Sequence, residues 1–528
     1  SVNLGSVPKD QLYRFNWNGP LVHNQLNPAI LYHGANKLLR SDNGGFSWTE
    51  ISPDLTRNDS SKHGTTGVPF TNEAAGGEIY NTISYIASSP HDEKVIWVGT
   101  DDGLVHVTRD EGESWTEVSP PVQGESLINA IELSPHDIAT VYLAVNRYKF
   151  DDTRPMIFVS TDYGTTWKSI IKGLPKDQFV RVVREDPVRQ GLLYAGTENG
   201  LHISFNQGES WNSFQSNLPV TPINDLVIKD NDLVAATSGR AFWILDDLSA
   251  LQQSLGKPDT TRLQLYAPKT TYRFTLAGGF EKGNIGQNPW PGVTLDYYLP
   301  HQMSDSAKLS LEVLDQDGQV IRSYSNQKAK DSSSWPGGPP PPQLLPAKPG
   351  LNRTHWDLGR EILPSVKGVF VMGSLAGSKV GPGTYTLRMK LDGSSAQQQV
   401  EVLADPRLEA SAEDFAKQQE MLVSIERAIR DMHQSVTRLR DVKSQLNTRL
   451  ELLSSMEGSV EIRREGKELL ESIESWEEKL IQPRQKTFQD VINFENRLNA
   501  ELNNLRGQVD SYEPRPTKGA VDRLEELL

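Results

Sequence analysis

No cysteine occurs anywhere in the 528 residues. Disulfides, thiolate metal sites and cysteine nucleophiles are excluded together. No stretch approaches the roughly 18 consecutive apolar residues of a membrane helix. No basic-then-apolar leader is visible, and the chain opens abruptly at Ser1, as a mature or cut product would. Positive charge is in deficit: 54 Lys and Arg stand against 68 Asp and Glu, a formal net charge of −14. Such a chain repels nucleic acid and anionic membrane surfaces, so neither is expected as a partner. There is no GxSxG elbow and no phosphate loop. No twelve-residue EF-hand loop occurs, which leaves calcium at acidic loops as the one cofactor still open. Histidines do not pair at i, i+4 beside a Glu, so no metal is expected.

Present instead is a repeat. One eight-residue pattern recurs four times: Ser41-Asp-Asn-Gly-Gly-Phe-Ser-Trp48, Thr108-Arg-Asp-Glu-Gly-Glu-Ser-Trp115, Ser160-Thr-Asp-Tyr-Gly-Thr-Thr-Trp167 and Ser204-Phe-Asn-Gln-Gly-Glu-Ser-Trp211. Successive tryptophans lie 67, 52 and 44 residues apart. The shortest spacing matches one four-stranded propeller blade of about 40–50 residues, and the longer ones a blade plus insertions. The fifth-place Gly permits positive φ in a tight hairpin. The third-place Asp or Asn accepts bonds from turn amides. The Trp opens the next strand and covers the turn. Asx-turn chemistry accounts for every one of these residues, so they are read as fold staples rather than catalysts.

Short β-rich runs flank each motif, such as Val95–Thr100, Leu104–Thr108 and Leu192–Thr197. A fifth blade without the motif is expected from Leu233–Thr237 and Ala241–Leu245. About five blades therefore occupy residues 15–255 of a propeller domain spanning 1–260.

These repeats resemble the Asp-box (BNR) propellers, a group that includes sialidases, xyloglucanases and the sortilin family. The stretches Ile51–Asn58, Val183–Pro187 and Ser238–Asp247 resemble more closely the bacterial sortilin-like proteins labelled "glycosyl hydrolase, BNR repeat". The likeness runs over nearly the whole chain. It implies export to the periplasm or the cell exterior. More blades usually precede these in that family, which implies an N-terminal propeller segment absent from this chain. Enzymes and receptors both carry the Asp-box, so the motif speaks for fold and not for function.

After the propeller the pattern changes. Alternating runs at Leu311–Leu314, Val320–Tyr324, Gly350–Asp357 and Gly381–Met389 predict an immunoglobulin- or fibronectin-like sandwich over 261–405. Trp335-Pro-Gly-Gly-Pro-Pro-Pro-Pro342 must be a loop. An a/d stripe from Leu422 to Leu453, a break at Glu457-Gly458, and further stripes at Leu469–Leu480 and Leu498–Val509 predict an antiparallel helical bundle over 406–528.

Propeller connectivity puts the turns between second and third strands on the same face as the blade-to-blade connections. That face surrounds the channel mouth. It collects Arg57, His63, Glu78, Asp101, Asp102, Glu198 and Arg240, with the long turn Asn146–Asp152 carrying Tyr148, Asp151 and Asp152. Two readings follow. One is a protein that binds a peptide, a protein or a glycan at the mouth, through Arg57, Glu78, Asp101, Asp102, Tyr148, Glu198 and Arg240. The other is a glycoside hydrolase, which needs two carboxylates about 5–5.5 or 6.5–9.5 Å apart. Asp101, Asp102, Asp151, Asp152, Glu78 and Glu198 could supply such a pair, and Asp151 and Asp152 are its leading candidates, because that hairpin did not need its length. Turn formation before a Gly is the simpler account of Asp102. A sialidase set, with clustered arginines and a tyrosine nucleophile, does not assemble from Arg57, Arg147, Arg240 and Tyr148.

Overall fold

The computed structural model describes residues 13–62, 79–254, 259–274, 286, 288–300, 304, 306–328, 334–511 and 513–528. His63 and Glu78 lie outside them. The chain divides into two compact units, Ser1–Gly256 and Lys257–Leu528.

In the first unit the four Asp-boxes fold alike. The fifth-place glycine N–H donates to the first-place hydroxyl at 2.8–2.9 Å in each: Gly45 to Ser41, Gly112 to Thr108, Gly164 to Ser160 and Gly208 to Ser204. The seventh-place N–H donates to the third-place side chain at 2.9–3.0 Å, as from Ser114 to Asp110 and from Ser210 to Asn206. The Ser114 hydroxyl, which donates to Asp110 Oδ2, and after it the Ser114 N–H stabilise the charged carboxylate and hold Asp110 down at about 2. Both central residues have positive φ (Glu111 61°, Gly112 99°), the pattern of a type I′ hairpin turn.

Around these turns stand four four-stranded antiparallel sheets, each in simple chain order, and a fifth sheet of three strands. They are propeller-like blades. Blade 1 runs through Leu21–His23, Leu31–Gly34, Leu38–Ser41 and Thr49–Glu50. The innermost strands of blades 2 to 5 are Ile83–Ser88, Leu127–Leu133, Val180–Glu185 and Ile223–Lys229. Blade 5 continues through Asp232–Thr237 and Phe242–Leu245 and has no fourth strand among the described residues. The second strands of blades 2 to 4, Ile96–Thr100, Val141–Arg147 and Leu193–Thr197, are buried almost throughout, because blades cover both of their faces. Gly99 and Gly196 let the next blade's isoleucine approach. A Cβ there would sit 2.4 Å from Ile128 Cγ2 and 2.7 Å from Ile223 Cγ2. Apolar cores fill the gaps between blades, for instance Tyr32, Leu38, Ile83, Ile96 and Val98 between blades 1 and 2.

The box tryptophan does more than cover its own turn. Trp115, Trp167 and Trp211 reach the preceding blade, where Nε1 donates to the carbonyls of Ile51, Val118 and Ile170 at 2.8, 2.9 and 2.6 Å. The Ser-Pro-His-Asp histidines tie blades on the same face as the boxes, opposite the channel mouth. His91 Nε2 meets the Ser134 carbonyl at 3.0 Å, and His136 Nε2 meets that of Asp186 at 2.7 Å.

In the second unit, two sheets share one core. Gln264–Leu265, Val293–Leu299 and Gly350–Trp356 form the first sheet. Thr271–Arg273, Ser394–Ala404, Gly383–Leu391, Leu309–Leu314 and Val320–Ser325 form the second. Thr271–Arg273 pairs in parallel with Val402–Ala404. Leu295, Tyr297, Leu311, Val313, Trp356 and Leu387 fill the core between them. The Pro-rich stretch contains no strand, and Trp335 Nε1 anchors it on the Val369 carbonyl at 2.9 Å.

The helices are α1 (Ser249–Gln253) in the first unit, then α2 (Ala412–Leu452), α3 (Val460–Leu480), α4 (Leu498–Val509) and α5 (Lys518–Leu527) in the second. Ser411 and Asp414 form a capping box that starts α2. Along the α2 stripe, Leu422, Ile425, Ile429 and Val436 are fully buried. Their partners are Leu502 and Leu505 of α4 together with Leu363, Val366, Val371 and Leu375 from the loop leading to the last strands. Strands and helices expected as separate domains therefore lie in one compact unit.

Candidate functional site

The innermost strands of all five blades wall a channel. One cavity of about 900 Å³ meets Val22, Tyr85, Glu132, Arg184 and Val227, one residue from each blade. Arg184 is the hub of this stretch. It donates to Asp225 Oδ1 at 2.7 Å, Tyr85 Oη at 3.1 Å and the Leu226 carbonyl at 2.8 Å, and lies 3.4 Å from Glu132. Burial pushes Glu132 up to about 7 although Arg184 pulls the other way. Arg184 and its partners hold one another, which marks a structural knot.

The mouth differs. A second cavity of about 770 Å³ is lined by Trp17, Asp101, Asn129, Asn146, Arg147, Tyr148, Lys149 and Arg181, among others. Trp17 and Tyr148 are exposed, at 66% and 39%. Tyr148 lies on the short helical turn Tyr148–Phe150, and its ring stacks on Phe179 with centroids 5.0 Å apart. Arg181 covers that Phe179 ring at 5.0 Å, and Glu198 takes its guanidinium with bonds of 2.7 and 3.0 Å. Arg147 donates to the Gln123 carbonyl and lies 3.9 Å from Asp152. Glu198 and Asp152 are not on the cavity wall; they hold cations that are. Asn146 donates to Asn129 at 3.0 Å.

Asp101 is the single carboxylate on this wall among the described residues. Its Oδ1 accepts the Thr82 N–H at 2.8 Å and its Oδ2 accepts the Thr82 hydroxyl at 2.9 Å. Burial raises it to about 7, with neighbouring Asp102 adding to the rise and Lys149 opposing it.

The other sequence candidates fall elsewhere. Asp102 is fully buried and bonded to Arg57 N, Asn81 Nδ2 and Thr100 Oγ1 at 2.9, 2.5 and 2.6 Å, so it closes the loop beneath Asp101. Arg57 is exposed and reaches back to the Asp102 carbonyl at 2.9 Å. Asp151 ends the helical turn at φ 57°. Asp152 is held ionised, chiefly by Arg154, which it meets through two bonds of 2.8 Å. Arg240 lies on the exposed turn of blade 5, where its carbonyl accepts Trp243 Nε1 at 2.9 Å. None of Arg57, Asp102, Asp151, Asp152, Glu198 or Arg240 lines the mouth cavity, whereas Asp101 and Tyr148 do. Trp17, Asn129, Lys149 and Arg181 were missed. The aromatic–cation spacing Phe179-x-Arg181, at the entry to the innermost strand Val180–Glu185, was a usable signal. No cluster of three metal-ligating side chains occurs among the described residues.

No protein-family model matches the chain, and no curated protein matches it either. Solved structures do show likeness. The Niastella koreensis GH74 enzyme has 14% identity and a TM-score of 0.33, over 72% of this chain and 56% of that one. An ancestral GH74 enzyme has 14% identity and a TM-score of 0.32, over 62% and 41%. YCF48 bound to D1 peptide has 16% identity and a TM-score of 0.29, over 44% and 64%. The chain spans less than two thirds of each. Likeness at this level concerns the propeller-like blades and says nothing of a shared substrate or ligand.

Proposed function

We propose that this chain is a binding protein whose propeller mouth takes an extended, anion-bearing ligand, foremost an acidic peptide segment. One observation carries the reading: the mouth cavity presents Arg147, Lys149 and Arg181 against the single carboxylate Asp101. Exposed Trp17 and Tyr148 add flat apolar faces on which a backbone or a ring can rest. Asn129 and Asn146 add directional polar contacts of the kind that fix orientation in a mostly preformed site. Export to the periplasm or cell exterior belongs to the same proposal and rests on the resemblance to sortilin-like proteins. So does a fibronectin-like identity for the paired sheets of the second unit.

A hydrolytic reading has one specific observation behind it. Asp101, raised to about 7, is a proper general acid at neutral pH. Glycoside cleavage asks for a second carboxylate, and none of the other described wall residues supplies one.

The test uses labelled acidic, neutral and basic peptides and neutral oligosaccharides, followed by fluorescence polarisation. A parallel assay measures new reducing ends on a polysaccharide panel. Acidic peptides should bind most tightly, and Lys149→Glu and Arg181→Glu should each weaken them. Equal binding of acidic and basic peptides refutes the proposal. Cleavage lost in Asp101→Asn replaces it with the hydrolytic reading.

A further inference from the structure

Blade 1 carries half of a joint whose other half is not among the five blades. In blades 2, 3 and 4 the box tryptophan donates across the gap to the carbonyl of Ile51, Val118 or Ile170, the residue just after the preceding blade's fourth strand. The box glycine meets those same residues. A Cβ on Gly112 would lie 2.5 Å from the Ile51 carbonyl oxygen, one on Gly164 2.7 Å from Val118 Cβ, and one on Gly208 2.5 Å from Ile170 Cδ1. Blade 1 has the same box and, among the described residues, neither contact. Trp48 Nε1 turns back to the Gly45 carbonyl at 3.1 Å. A Cβ on Gly45 would find nothing nearer than 3.6 Å, and that atom belongs to Trp48 itself. Trp115, Trp167 and Trp211 join the apolar cores between blades, whereas Trp48 joins none. Beside it, Phe46 is 91% exposed, where the other boxes carry Glu113, Thr165 and Glu209.

We infer that the free face of blade 1 docks one further four-stranded Asp-box-type blade, supplied by polypeptide other than residues 13–528. The interface continues the joint repeated three times within this chain. The incoming blade presents an aliphatic residue just after its fourth strand. That residue's side chain fills the space over Gly45, and its carbonyl accepts Trp48 Nε1–H. A second copy of this chain does not fit the joint, because its free end is blade 5, which among the described residues has three strands and no such acceptor position. The twelve residues before Tyr13 are too few for a blade, since blade 1 alone runs from Leu21 to Glu50. The inference concerns assembly and stands apart from the ligand reading of the mouth.

The experiment follows indole N–H hydrogen exchange by NMR, with each signal assigned by its Trp→Phe variant and the mass of the species measured alongside. In this chain alone, Trp48 should exchange about tenfold or more faster than Trp115, Trp167 and Trp211, in a monomer. A second protein carries a duplicate of residues 79–126, which is blade 2 with its Val118 acceptor, fused ahead of Ser1. There Trp48 protection should rise about tenfold, and Trp48→Phe should lower the unfolding midpoint of the extended protein while leaving that of the shorter one unchanged. Trp48 protected in the unextended monomer would mean that the chain fills its own joint, and the inference falls. Protection in a dimer would assign the joint to a second copy, with the same consequence. Unchanged Trp48 exchange beside a folded extra blade overturns it as well.

Discussion

Replacing Asp101 by Asn probes the mouth at its most informative atom pair. The substitution keeps the local bonds: amide Oδ1 still accepts the Thr82 N–H, and the Thr82 hydroxyl can turn to accept from Nδ2. What changes is charge. In the unfolded chain this carboxyl ionises near 3.8, and in the folded protein near 7. Between those values the folded state binds more protons than the unfolded one, so stability falls as pH rises and levels off above about 7. At 1.36 kcal/mol per pH unit the full shift is worth on the order of 4 kcal/mol. Asp101 keeps some solvent contact, and screening brings the observable to about 2 kcal/mol. Asp101→Asn should therefore match the parent at pH 4 and exceed it by about that amount at pH 8.5, measured by urea unfolding across pH. Affinity for an acidic peptide should rise in the parent as pH falls through 7, because the wall loses its one negative charge. In Asp101→Asn that dependence should vanish and the low-pH affinity should persist at pH 8.5. A carboxyl carbon that titrates near 4 by NMR, or parallel stability curves for the two proteins, would refute the reasoning.

Trp115→Phe deletes the bond to the Ile51 carbonyl, and stranding a partly buried acceptor costs about 1–3 kcal/mol, read as a lower denaturation midpoint. Gly164→Ala meets both a φ of 82° and the Val118 Cβ, about 2–5 kcal/mol in sum. Gly45→Ala in this chain meets only the φ of 89°, about 1–2 kcal/mol; equal losses at the two sites would contradict the joint geometry. Arg184→Met leaves Glu132 buried without its cation. The loss should be about 3–5 kcal/mol well above pH 7, should shrink as pH falls toward 7, because Glu132 without its cation takes a proton above its parent value of about 7, and should be rescued by adding Glu132→Gln.

Blade number and the box hairpins were legible because Asx-turn chemistry is local: eight residues contain nearly all of their own bonding partners. The α2 stripe was legible for the same reason, through its period. What the tryptophans do was not, since the carbonyl that Trp115 finds lies 64 residues away. The union of strands and helices in the second unit was hidden too. It depends on Leu363–Leu375, a loop sequence whose apolar residues follow neither the helical nor the strand period. The stretches that marked the family resemblance are structural. In Ile51–Asn58, Asp54 binds Arg14 and Asn36 at 2.6 and 3.0 Å, and Ile51 accepts Trp115. In Val183–Pro187, Arg184 knots the channel. Such residues identify a fold and leave the ligand open.

The site was less legible because its sequence signal ran backwards. Acidic residues drew attention in a chain of net charge −14, yet Asp102, Asp152 and Glu198 serve as partners within loops, and the cations that Asp152 and Glu198 hold, Arg147 and Arg181, face the cavity. This inversion has a measurable consequence for an acidic peptide. At long range the chain repels it, while at contact Arg147, Lys149 and Arg181 attract it. Salt screens the distant repulsion fully, since the Debye length is about 10 Å at 0.1 M, and screens half-buried contact pairs much less. Raising salt from about 0.02 to 0.15 M should therefore speed association while it modestly speeds dissociation, leaving affinity nearly flat. A surface of exposed lysines on a basic protein would instead lose affinity steeply, with association slowing. Stopped-flow polarisation at several salt concentrations separates the two rates. An association rate that falls as salt rises would mean that the ligand is steered by positive charge well beyond the mouth, which the −14 balance does not allow.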